Sequence, residues 1–338
     1  MDVQPRKVKW LLEGLIPFGA ITVLAGQPGL GKSLLTIRLA ADFSAGMLDQ
    51  SGDVLMLTAE DPIAEVVVPR LAAARAKRSA VHFGAVNADG LSIPMRFPED
   101  IDLLGELARE TGAGLVVIDP LSAHLGGRVD SWKDQSIRGA LAPLAALADN
   151  QGLAVLVVAH LNKGQSMDPL QRLGGSIGLP AAARSVLLLG RNPDDSERGD
   201  DRVLAQVKSN FGREASSLAF RIIQTPLNAA FPFMEAAEII ETGASTYEAS
   251  DLLKAREPVD VSEIRAEAIA FLQRILADGP RRAKEVEAAV HEASLPIDTI
   301  KRAKSAAGVH TYKERGVVNG SWMWELNPQR EATKQPAA

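Results

Sequence analysis

The chain has 338 residues, of which 46% are hydrophobic and 23% are charged, as in globular proteins rather than in disordered or fibrous ones. It contains no cysteine, which excludes disulfides and thiolate metal sites, and its five scattered histidines form no metal-ligand pattern. A net charge of −5 argues against a protein that coats nucleic acid by charge alone, but it allows a local basic groove. No signal sequence is visible and no run approaches ~20 apolar residues, so we expect a cytoplasmic protein without membrane contact.

Five short apolar runs predict strands that are buried on both faces. The runs are AITVLAG (20–26), DVLMLTA (53–59), GLVVIDP (114–120), LAVLVVAH (153–160) and SVLLLG (185–190). Helical patterns separate them, so the predicted fold is α/β, a mainly parallel sheet with helices on both sides. After residue 190, RVLAQVKSNFG and LAFRIIQ predict antiparallel strands added at the edge of the sheet.

The periodicity lapses once along the chain and predicts two domains of unequal size. A large domain is expected over residues 1–245, a linker over 246–261, a small domain over 262–328 and a disordered tail over 329–338. In the small domain, a helix, a helix–turn–helix pattern and a β-hairpin follow one another, which is the element order of a winged helix.

The stretch GQPGLGKS fits G-x-x-x-x-G-K-[ST] at each fixed position and lies between a predicted strand and a predicted helix. Its glycines let successive backbone N–H groups face phosphate oxygens, to which the helix adds its positive end. A chance glycine-rich turn is the alternative, expected on the order of once in a hundred such chains. We therefore predict ATP as the ligand and assign to its binding Gly26, Gln27, Pro28, Gly29, Leu30, Gly31, Lys32 and Ser33.

Lys32 is predicted to reach the terminal phosphates, and the hydroxyl of Ser33 is predicted to bind Mg²⁺. Asp119 ends the strand-like run GLVVIDP, so it is the second predicted magnesium ligand, although an aspartate at this point also serves as a helix cap. Pro120 rather than a glutamate follows Asp119, so a residue that activates water must come from elsewhere.

Glu60 is the predicted supplier of that base. The run VLMLTAEDP ends in two carboxylates, and charges at the end of a buried strand cost desolvation energy unless they have a partner or a function. Glu60 would orient and polarise a water against the γ-phosphate. Asp61, followed by Pro62, has a structural interpretation as the N-cap of the next helix.

These segments together resemble the RecA-like ATPases, and most of all the plasmid RepA-type hexameric helicases and the related AAA-family ATPases of phages and mobile elements. The segments that carry the resemblance, within residues 8–245, are WLLEGLIPFGAITVLAGQPGLGKS, TAEDP, VVIDPLSA and LVVAHLNKG. The resemblance implies that Glu60 is the catalytic base, that His160 senses the γ-phosphate and that the chain forms a homo-oligomer, expected to be a hexameric ring. A histidine at a strand end is otherwise a solvated or core residue.

In RecA-like motors, mobile loops after the sensor strand line a channel and contact single-stranded DNA. Here that segment begins at residue 162, and Lys163 and Arg172 are the predicted phosphate contacts, with a solvated surface loop as the alternative. RecA-like ATPases also use a basic residue from the neighbouring subunit. Lys208 in QVKSN is the predicted residue of this kind, and Arg184 and Arg213 are the alternatives.

The small domain resembles the winged-helix tails of phage and prophage ATPases. Lys301, Arg302 and Lys304 lie on its third predicted helix and are expected to contact DNA, although winged helices also mediate protein contacts. Trp322 and Trp324 are two apart on a strand and are expected to be packing anchors on one face.

The sequence therefore predicts an oligomeric, Mg²⁺-dependent ATPase that works on DNA, as a replicative-type helicase or translocase of a phage, plasmid or prophage. Two alternatives stay open. One is a recombination or loading ATPase that assembles on single strands without unwinding. The other is a DNA-binding initiator or regulator whose ATPase domain switches assembly.

Overall fold

In the computed structural model, the chain forms two compact units, Met1–Ala255 and Arg256–Ala338. It describes residues 4–88, 91–127, 129–130, 133–162, 168, 170–172, 178–195, 199–227, 234–254, 268–277, 279–293, 300, 303–304, 306–313 and 322–326. Within these ranges, no helix has both the length and the apolar character needed to cross a bilayer.

Thirteen strands and six α-helices of the first unit fall within the described ranges. The strands are β1 (Trp10–Leu12), β2 (Ile16–Pro17), β3 (Ala20–Gly26), β4 (Asp53–Thr58), β5 (Val81–Phe83), β6 (Val86–Ala88), β7 (Leu91–Ile93), β8 (Ala113–Asp119), β9 (Ala154–His160), β10 (Ser185–Arg191), β11 (Asp201–Ser209), β12 (Ser217–Pro226) and β13 (Glu235–Ser245). The helices are α1 (Lys32–Ala45), α2 (Val68–Ala73), α3 (Ile101–Thr111), α4 (Asp134–Gln151), α5 (Gly178–Ala182) and α6 (Ala249–Lys254).

Nine of these strands form one sheet in the order β13-β12-β11-β10-β3-β9-β8-β4-β5. The six strands from β10 to β5 run parallel, and β11, β12 and β13 extend the sheet antiparallel. This is an α/β fold built on a mainly parallel sheet, so the predicted fold class is confirmed, including the antiparallel strands at one edge.

Helices cover both faces of the sheet, which explains why its central strands are continuous apolar runs. On one face, α1 and α2 pack through Leu35 and Leu71. On the other face, α3 and α4 pack through Leu104 and Leu141. Each of these four side chains is at most 2% exposed, so the two layers seal the sheet from water.

The two ends of the parallel strands provide different environments. We call the end where these strands finish the carboxyl edge; there Gly26 of β3 lies opposite His160 of β9, and Thr58 of β4 lies opposite Asp119 of β8. We call the end where they begin the amino edge. In open α/β sheets, ligands bind at the carboxyl edge, and all three strand-end site residues predicted above (Gly26, Asp119 and His160) are there.

Part of the predicted linker is folded structure. Helix α6 lies within residues 246–261, and its Leu252 is 7% exposed in the core of the first unit. A Cβ at Gly190 of β10 would lie 2.7 Å from the Cβ of Leu252, so the helix sits directly on the sheet. The described part of the linker up to residue 254 is therefore packed against the first unit.

The second unit has a small antiparallel sheet and its own apolar core. Its described elements are helical residues 268–275, β14 (Arg281–Arg282), α7 (Ala283–Glu292), β15 (Val309–Lys313) and β16 (Trp322–Leu326), with strand order β14-β16-β15. Trp324 is 3% exposed and belongs to the core, as expected. Trp322 is 58% exposed, so its prediction as a packing anchor is wrong: β16 begins outside the core, which it reaches at Trp324. The winged-helix assignment stays a prediction, and the predicted tail 329–338 lies outside the described residues.

A buried histidine makes the first unit sensitive to acid. His124 is 1% exposed; its Nδ1 lies 2.9 Å from the carbonyl oxygen of Met95, and its ring stacks on Phe97. Burial lowers the pKa of His124 below its ordinary value of 6.5, and the hydrogen bonds to backbone oppose this shift. The unfolded chain therefore binds a proton more readily than the folded protein, and folding stability falls as the pH drops below 6.5.

We expect the urea midpoint of the protein to fall between about pH 7 and about pH 5.5, and to fall less in His124→Phe. Phenylalanine keeps a ring against Phe97 but cannot ionise. Each pKa unit of difference between the two states is worth about 1.4 kcal/mol of unfolding free energy. Equal acid sensitivity of the two proteins would show that His124 is not the cause.

Candidate active site

The phosphate-binding sequence forms the turn between β3 and α1. Gly31 is in the left-handed region with a φ of 90° and directly precedes α1, and Gly29 has a φ of 78°. Side chains other than glycine avoid this backbone region, which explains the glycines at both positions. A Cβ added at Gly26 would lie 2.7 Å from the carbonyl oxygen of Leu189, so this position also excludes a larger residue. The loop is a cradle of backbone groups.

Lys32 is buried in this loop, with 4% of its surface exposed. Its Nζ donates to the carbonyl oxygens of Gly26, at 3.0 Å, and of Gln27, at 2.8 Å. Burial lowers the pKa of Lys32 to about 8, and the charges of Asp119 and Glu60 oppose this shift. A desolvated ammonium held only by carbonyl dipoles gains strongly from an anion in the loop, as phosphate would provide.

Asp119 and Ser33 meet beside the loop. Ser33 and Asp119 line the same small cavity, and the hydroxyl of Thr36 lies 3.5 Å from Oδ2 of Asp119. Burial raises the pKa of Asp119, while the nearby hydroxyl of Ser33 and the charge of Lys32 oppose the rise. A hydroxyl and a carboxylate side by side are the oxygen donors that Mg²⁺ prefers, so this pair fits the predicted metal. Among the described residues, no cluster of three or more acidic, histidine or cysteine side chains is present.

Glu60 lies on the solvent-exposed side of Ser33 and Asp119. It is exposed, and together with Ser33, Thr58 and Asp119 it lines a cavity of about 40 Å³. A water molecule needs roughly 10–15 Å³ measured in this way, so the cavity has room for one. The charge of Glu60 raises the pKa of both Lys32 and Asp119, so Glu60 lies near both groups.

The neighbouring Asp61 does not have the N-cap role predicted for it. The next helical turn, a π-helical segment over Ile63–Val67, has Pro62 at its cap and no side-chain cap hydrogen bond. The carboxylate of Asp61 instead forms an ion pair with Arg70 of α2 at 2.7 Å. The prediction fails because Pro62 takes the cap position itself, which leaves Asp61 one residue too early.

His160 is placed at the loop by strand register. It lies opposite Gly26, and its Nδ1 is buried without a hydrogen-bond partner among the described residues. Burial lowers the pKa of His160; Lys32 lowers it further and Glu60 opposes the shift. An unpaired buried polar atom costs free energy, so this nitrogen is available to a ligand in the loop.

One residue at the site did not emerge from the sequence. Arg202 of β11 is 4% exposed, and its Nε donates to the carbonyl oxygen of Leu30 in the phosphate loop at 2.9 Å. Its Nη1 donates to the carbonyl oxygens of Gly199 at 2.6 Å and Asp201 at 2.9 Å. Arg202 thus ties the loop to the β10–β11 turn. The sequence signal that could have identified Arg202 is a charged residue near the start of an apolar strand. Glu60 gave a comparable signal, a charged residue just after the end of one.

Within a single copy of the chain, Lys208 lies toward the opposite edge of the sheet from the phosphate loop. It pairs with Val186 near the start of β10, which places it toward the amino edge. Its Nζ donates to the carbonyl oxygens of Pro180, at 2.8 Å, and Ala183, at 2.9 Å. The ammonium is therefore bonded within its own chain, whereas Arg184 beside it is exposed.

The predicted DNA contacts are described only in part. Arg172 has a weak hydrogen bond, 3.4 Å from Nη2 to the carbonyl oxygen of Asn162, and its buried Nε has no partner among the described residues. The ammonium of Lys304 lies 3.5 Å from the ring centroid of Trp324, a cation–π contact within the second unit. Lys163, Lys301 and Arg302 lie outside the described residues.

One family of known proteins matches the part of the chain that contains this site. The family described as "AAA domain" matches residues 1–166, which contain the phosphate loop, Glu60, Asp119 and His160. The chain is a P-loop ATPase. Nucleotide binding, predicted from the loop, follows from that assignment.

The relatives of the ATPase match it over only part of their own length. The ATPase is 21% identical over 204 residues to DNA repair protein RadA of Bacillus subtilis. The aligned region covers 60% of this chain and 39% of that protein. It is 24% identical over 215 residues to DNA repair protein RadA of Halalkalibacterium halodurans, which covers 63% of this chain and 41% of that protein. A solved structure of another ATPase domain is 15% identical with a TM-score of 0.46, and the match covers 60% of this chain and 81% of that one. The ATPase thus matches about two fifths of each RadA protein.

Replacing Lys32 by alanine is expected to remove the stabilisation of the ATPase by nucleotide. ATP at about 100 times its Kd stabilises a folded protein by about 2.7 kcal/mol, which raises the Tm measurably. We expect this rise in the unchanged protein with ATP and Mg²⁺, and none in Lys32→Ala, because the phosphate loses its buried cation. Lys77→Ala, on the exposed surface, is the control. A full nucleotide-dependent shift in Lys32→Ala would contradict this role.

Replacing Arg202 by glutamine is expected to raise the KM for ATP more than it lowers kcat. A hydrogen bond from a charged group is worth about 1.5–3 kcal/mol, so a tenfold or larger rise in KM is expected from a loosened loop. Arg221→Gln is the matched control, because Arg221 bonds Asp201 at 2.6 Å but lies exposed on β12 and does not contact the loop. Equal KM values in the two variants would contradict the loop-positioning role.

Proposed function

We propose that the ATPase couples Mg²⁺-dependent ATP hydrolysis to DNA, as a replicative-type helicase or translocase of a phage, plasmid or prophage. The observation that carries the proposal is the convergence of Lys32, Asp119 and Glu60 on one side of the phosphate loop. A protein that only switches with nucleotide needs no water-activating carboxylate. The DNA part is supported by the printed name of the RadA relatives, DNA repair proteins.

Binding of ATP begins with an exchange of partners at Lys32. Its ammonium leaves the carbonyl oxygens of Gly26 and Gln27 and pairs with oxygens of the terminal phosphates. Backbone N–H groups of the loop and the start of α1 contact the other phosphate oxygens. The gain is large because the ammonium is already desolvated, so little hydration is lost on binding.

Ser33 and Asp119 are the proposed magnesium ligands, Ser33 directly and Asp119 through a water. Mg²⁺, when bound, supplies positive charge that neutralises the negative charge on the phosphate oxygens. Ser33 and Asp119 line one small cavity, so the oxygens of both side chains are available to the same ion. Thr36 supports Asp119 from the next turn of α1.

Glu60 is the proposed general base. It accepts a proton from a water whose oxygen attacks the γ-phosphorus, while the bond from that phosphorus to the bridging oxygen breaks and its electrons stay on ADP. His160 is the proposed sensor, since its Nδ1 is free to donate to an oxygen of the γ-phosphate. Both residues lie at the carboxyl edge.

A basic residue toward the amino edge is proposed to act on the nucleotide of a neighbouring subunit. Lys208, with Arg184 and Arg213 as alternatives, would approach the γ-phosphate of a neighbouring copy in a homo-oligomer, proposed to be a hexameric ring. Lys208 must give up its bonds to Pro180 and Ala183 to do so, whereas Arg184 is exposed. This difference favours Arg184.

DNA is proposed to contact two regions. Lys163 and Arg172 would bind a single strand from the loop after β9, where the weak hydrogen bond of Arg172 is readily exchanged for a phosphate. Residues 262–328 are proposed to form a winged helix, in which Lys301, Arg302 and Lys304 contact duplex DNA. The sheet of β14, β15 and β16 supports this assignment.

A second candidate is a recombination or loading ATPase that assembles on DNA without unwinding it, which the similarity to DNA repair proteins favours. ATP turnover with and without single-stranded DNA, together with strand separation on a forked duplex, distinguishes the two. Stimulated turnover with strand separation is expected for the helicase. Stimulation without separation identifies the loading ATPase, and specific duplex binding with negligible turnover identifies an initiator or regulator.

Glu60→Gln is expected to bind ATP nearly as well as the unchanged protein and to lower kcat by about 100-fold or more, since general-base catalysis contributes about 10²–10⁴. The amide keeps the shape of the side chain but cannot take a proton. Asp61→Asn is the matched control: it weakens the Arg70 ion pair but should keep turnover within a few-fold. Retained hydrolysis in Glu60→Gln would assign the base to another residue.

Removal of residues 256–338 is expected to keep basal hydrolysis and weaken DNA association. This cut keeps α6 and Leu252, which are part of the core of the first unit. DNA affinity measured by fluorescence anisotropy should fall while kcat without DNA stays within a few-fold. Undiminished DNA affinity in the shortened protein would contradict the winged-helix proposal.

A further inference from the structure

The amino edge of the sheet holds an open cleft of about 970 Å³. Four basic side chains, Arg6, Lys7, Lys9 and Arg184, line it, and we call this feature the basic cleft. The first residues of β3 form part of its wall, whereas the phosphate loop follows the last residue of the same strand. Seven residues of strand span about 20 Å, so the basic cleft is separate from the active site.

The positive charge of the basic cleft is not balanced by ion pairs in the described part of the chain. The four cations are exposed and have no ion-pair partner in the described part of the chain, and Asp149 is the acidic side chain in the wall. The whole chain is acidic, with a net charge of −5. Arg184 and Arg138 also lower the pKa of Lys208, after burial, so further positive charge lies beside the cleft.

Helix ends account for only part of this excess. Helices α1 and α4 finish at the amino edge, and neither has a basic residue in its own last turn. The carboxyl end of a helix is equivalent to about half a negative charge, so the ends of α1 and α4 together contribute about one negative charge. With Asp149, they balance about two of the four cations. About two positive charges are left for a ligand.

Aromatic rings accompany these charges. Phe211 is in the wall of the cleft and is 40% exposed, and it packs edge-to-face against Trp10 with ring centroids 5.6 Å apart. Phe18 is a second ring in the wall. A cationic groove with a fixed, exposed aromatic face is the arrangement that binds unpaired nucleotides, with cations on phosphates and rings on bases.

We propose that the basic cleft binds single-stranded nucleic acid. The proposal rests on the proposed function in that it needs the protein to act on DNA, but it places a strand at the amino edge rather than at the loop of Lys163 and Arg172. Arg6, Lys7 and Lys9 contact phosphates, and Phe211 stacks on a base. A duplex has no free base face for Phe211, so a single strand is preferred.

The test uses the full chain and a fluorescently labelled oligothymidylate, with anisotropy measured over a range of salt concentrations. The triple variant Arg6→Gln, Lys7→Gln, Lys9→Gln is expected to bind at least tenfold more weakly and to show a slope of log Kd against log salt that is smaller by about two. Phe211→Leu is expected to weaken binding about tenfold with the slope unchanged, because stacking carries no counterion release.

A second triple variant, Arg75→Gln, Lys77→Gln, Arg78→Gln, is the matched control. It removes three positive charges on the segment after α2, outside the cleft. It is expected to keep the affinity within about twofold. ATP hydrolysis without DNA and the Tm are expected to stay unchanged in the first triple variant and in Phe211→Leu, which shows that both proteins are folded.

The outcomes separate this proposal from the function on which it rests. No DNA binding by the unchanged protein overturns the proposed function itself. DNA binding that is equal in the cleft variants and the control overturns the cleft alone. Tighter binding of a duplex of the same length overturns the single-strand preference. Loss of oligomer mass or of DNA-independent turnover in the cleft variants also overturns the proposal, because it shows that the cleft faces a second copy of the chain.

Discussion

The desolvated ammonium of Lys32 is the interaction on which the rest of the site depends. Without nucleotide it is bonded only to carbonyl oxygens of its own loop, and two carboxylates at a distance partly compensate its charge. A buried cation is costly unless it is paired, so the fold keeps a site that is unfavourable when empty and favourable when it holds phosphate. The stability lost at Lys32 is recovered as binding energy for ATP.

The sheet turns this local constraint into an ordered site. Because β3, β9, β8 and β4 are parallel neighbours, their last residues meet at one edge without any long-range loop. Strand register alone brings His160 opposite Gly26 and Asp119 opposite Thr58. The antiparallel strand β11 adds a second connection. Arg202 at its start bonds the phosphate loop, and Lys208 near its end bonds the carbonyl oxygens of Pro180, within α5, and of Ala183, directly after it.

The sequence predicted those features that depend on local pattern. Buried parallel strands are continuous apolar runs, and a polar residue at the end of such a run, as Asp119 and His160 are, must face the carboxyl edge. The sequence did not predict features set by partners distant along the chain. Arg202 bonds Leu30 across 172 positions. Strand β13 was missed because one side of it is exposed, so its sequence EAAEIIETGAS is too polar to indicate a strand. Asp61 was misassigned because its partner, Arg70, is known only once α2 is placed.

Titration of the Lys32 side chain shows directly whether its ammonium is desolvated in the phosphate loop. NMR of the ¹³Cε-labelled lysines, with Lys32 assigned by its loss in Lys32→Ala, reports the pKa of this one ammonium in the folded protein. A desolvated ammonium in the loop is expected to have a pKa of about 8 without nucleotide, and a higher pKa when ATP occupies the loop. A pKa at the ordinary value of 10.5 that does not respond to ATP would show instead that Lys32 is solvated and does not face the phosphates.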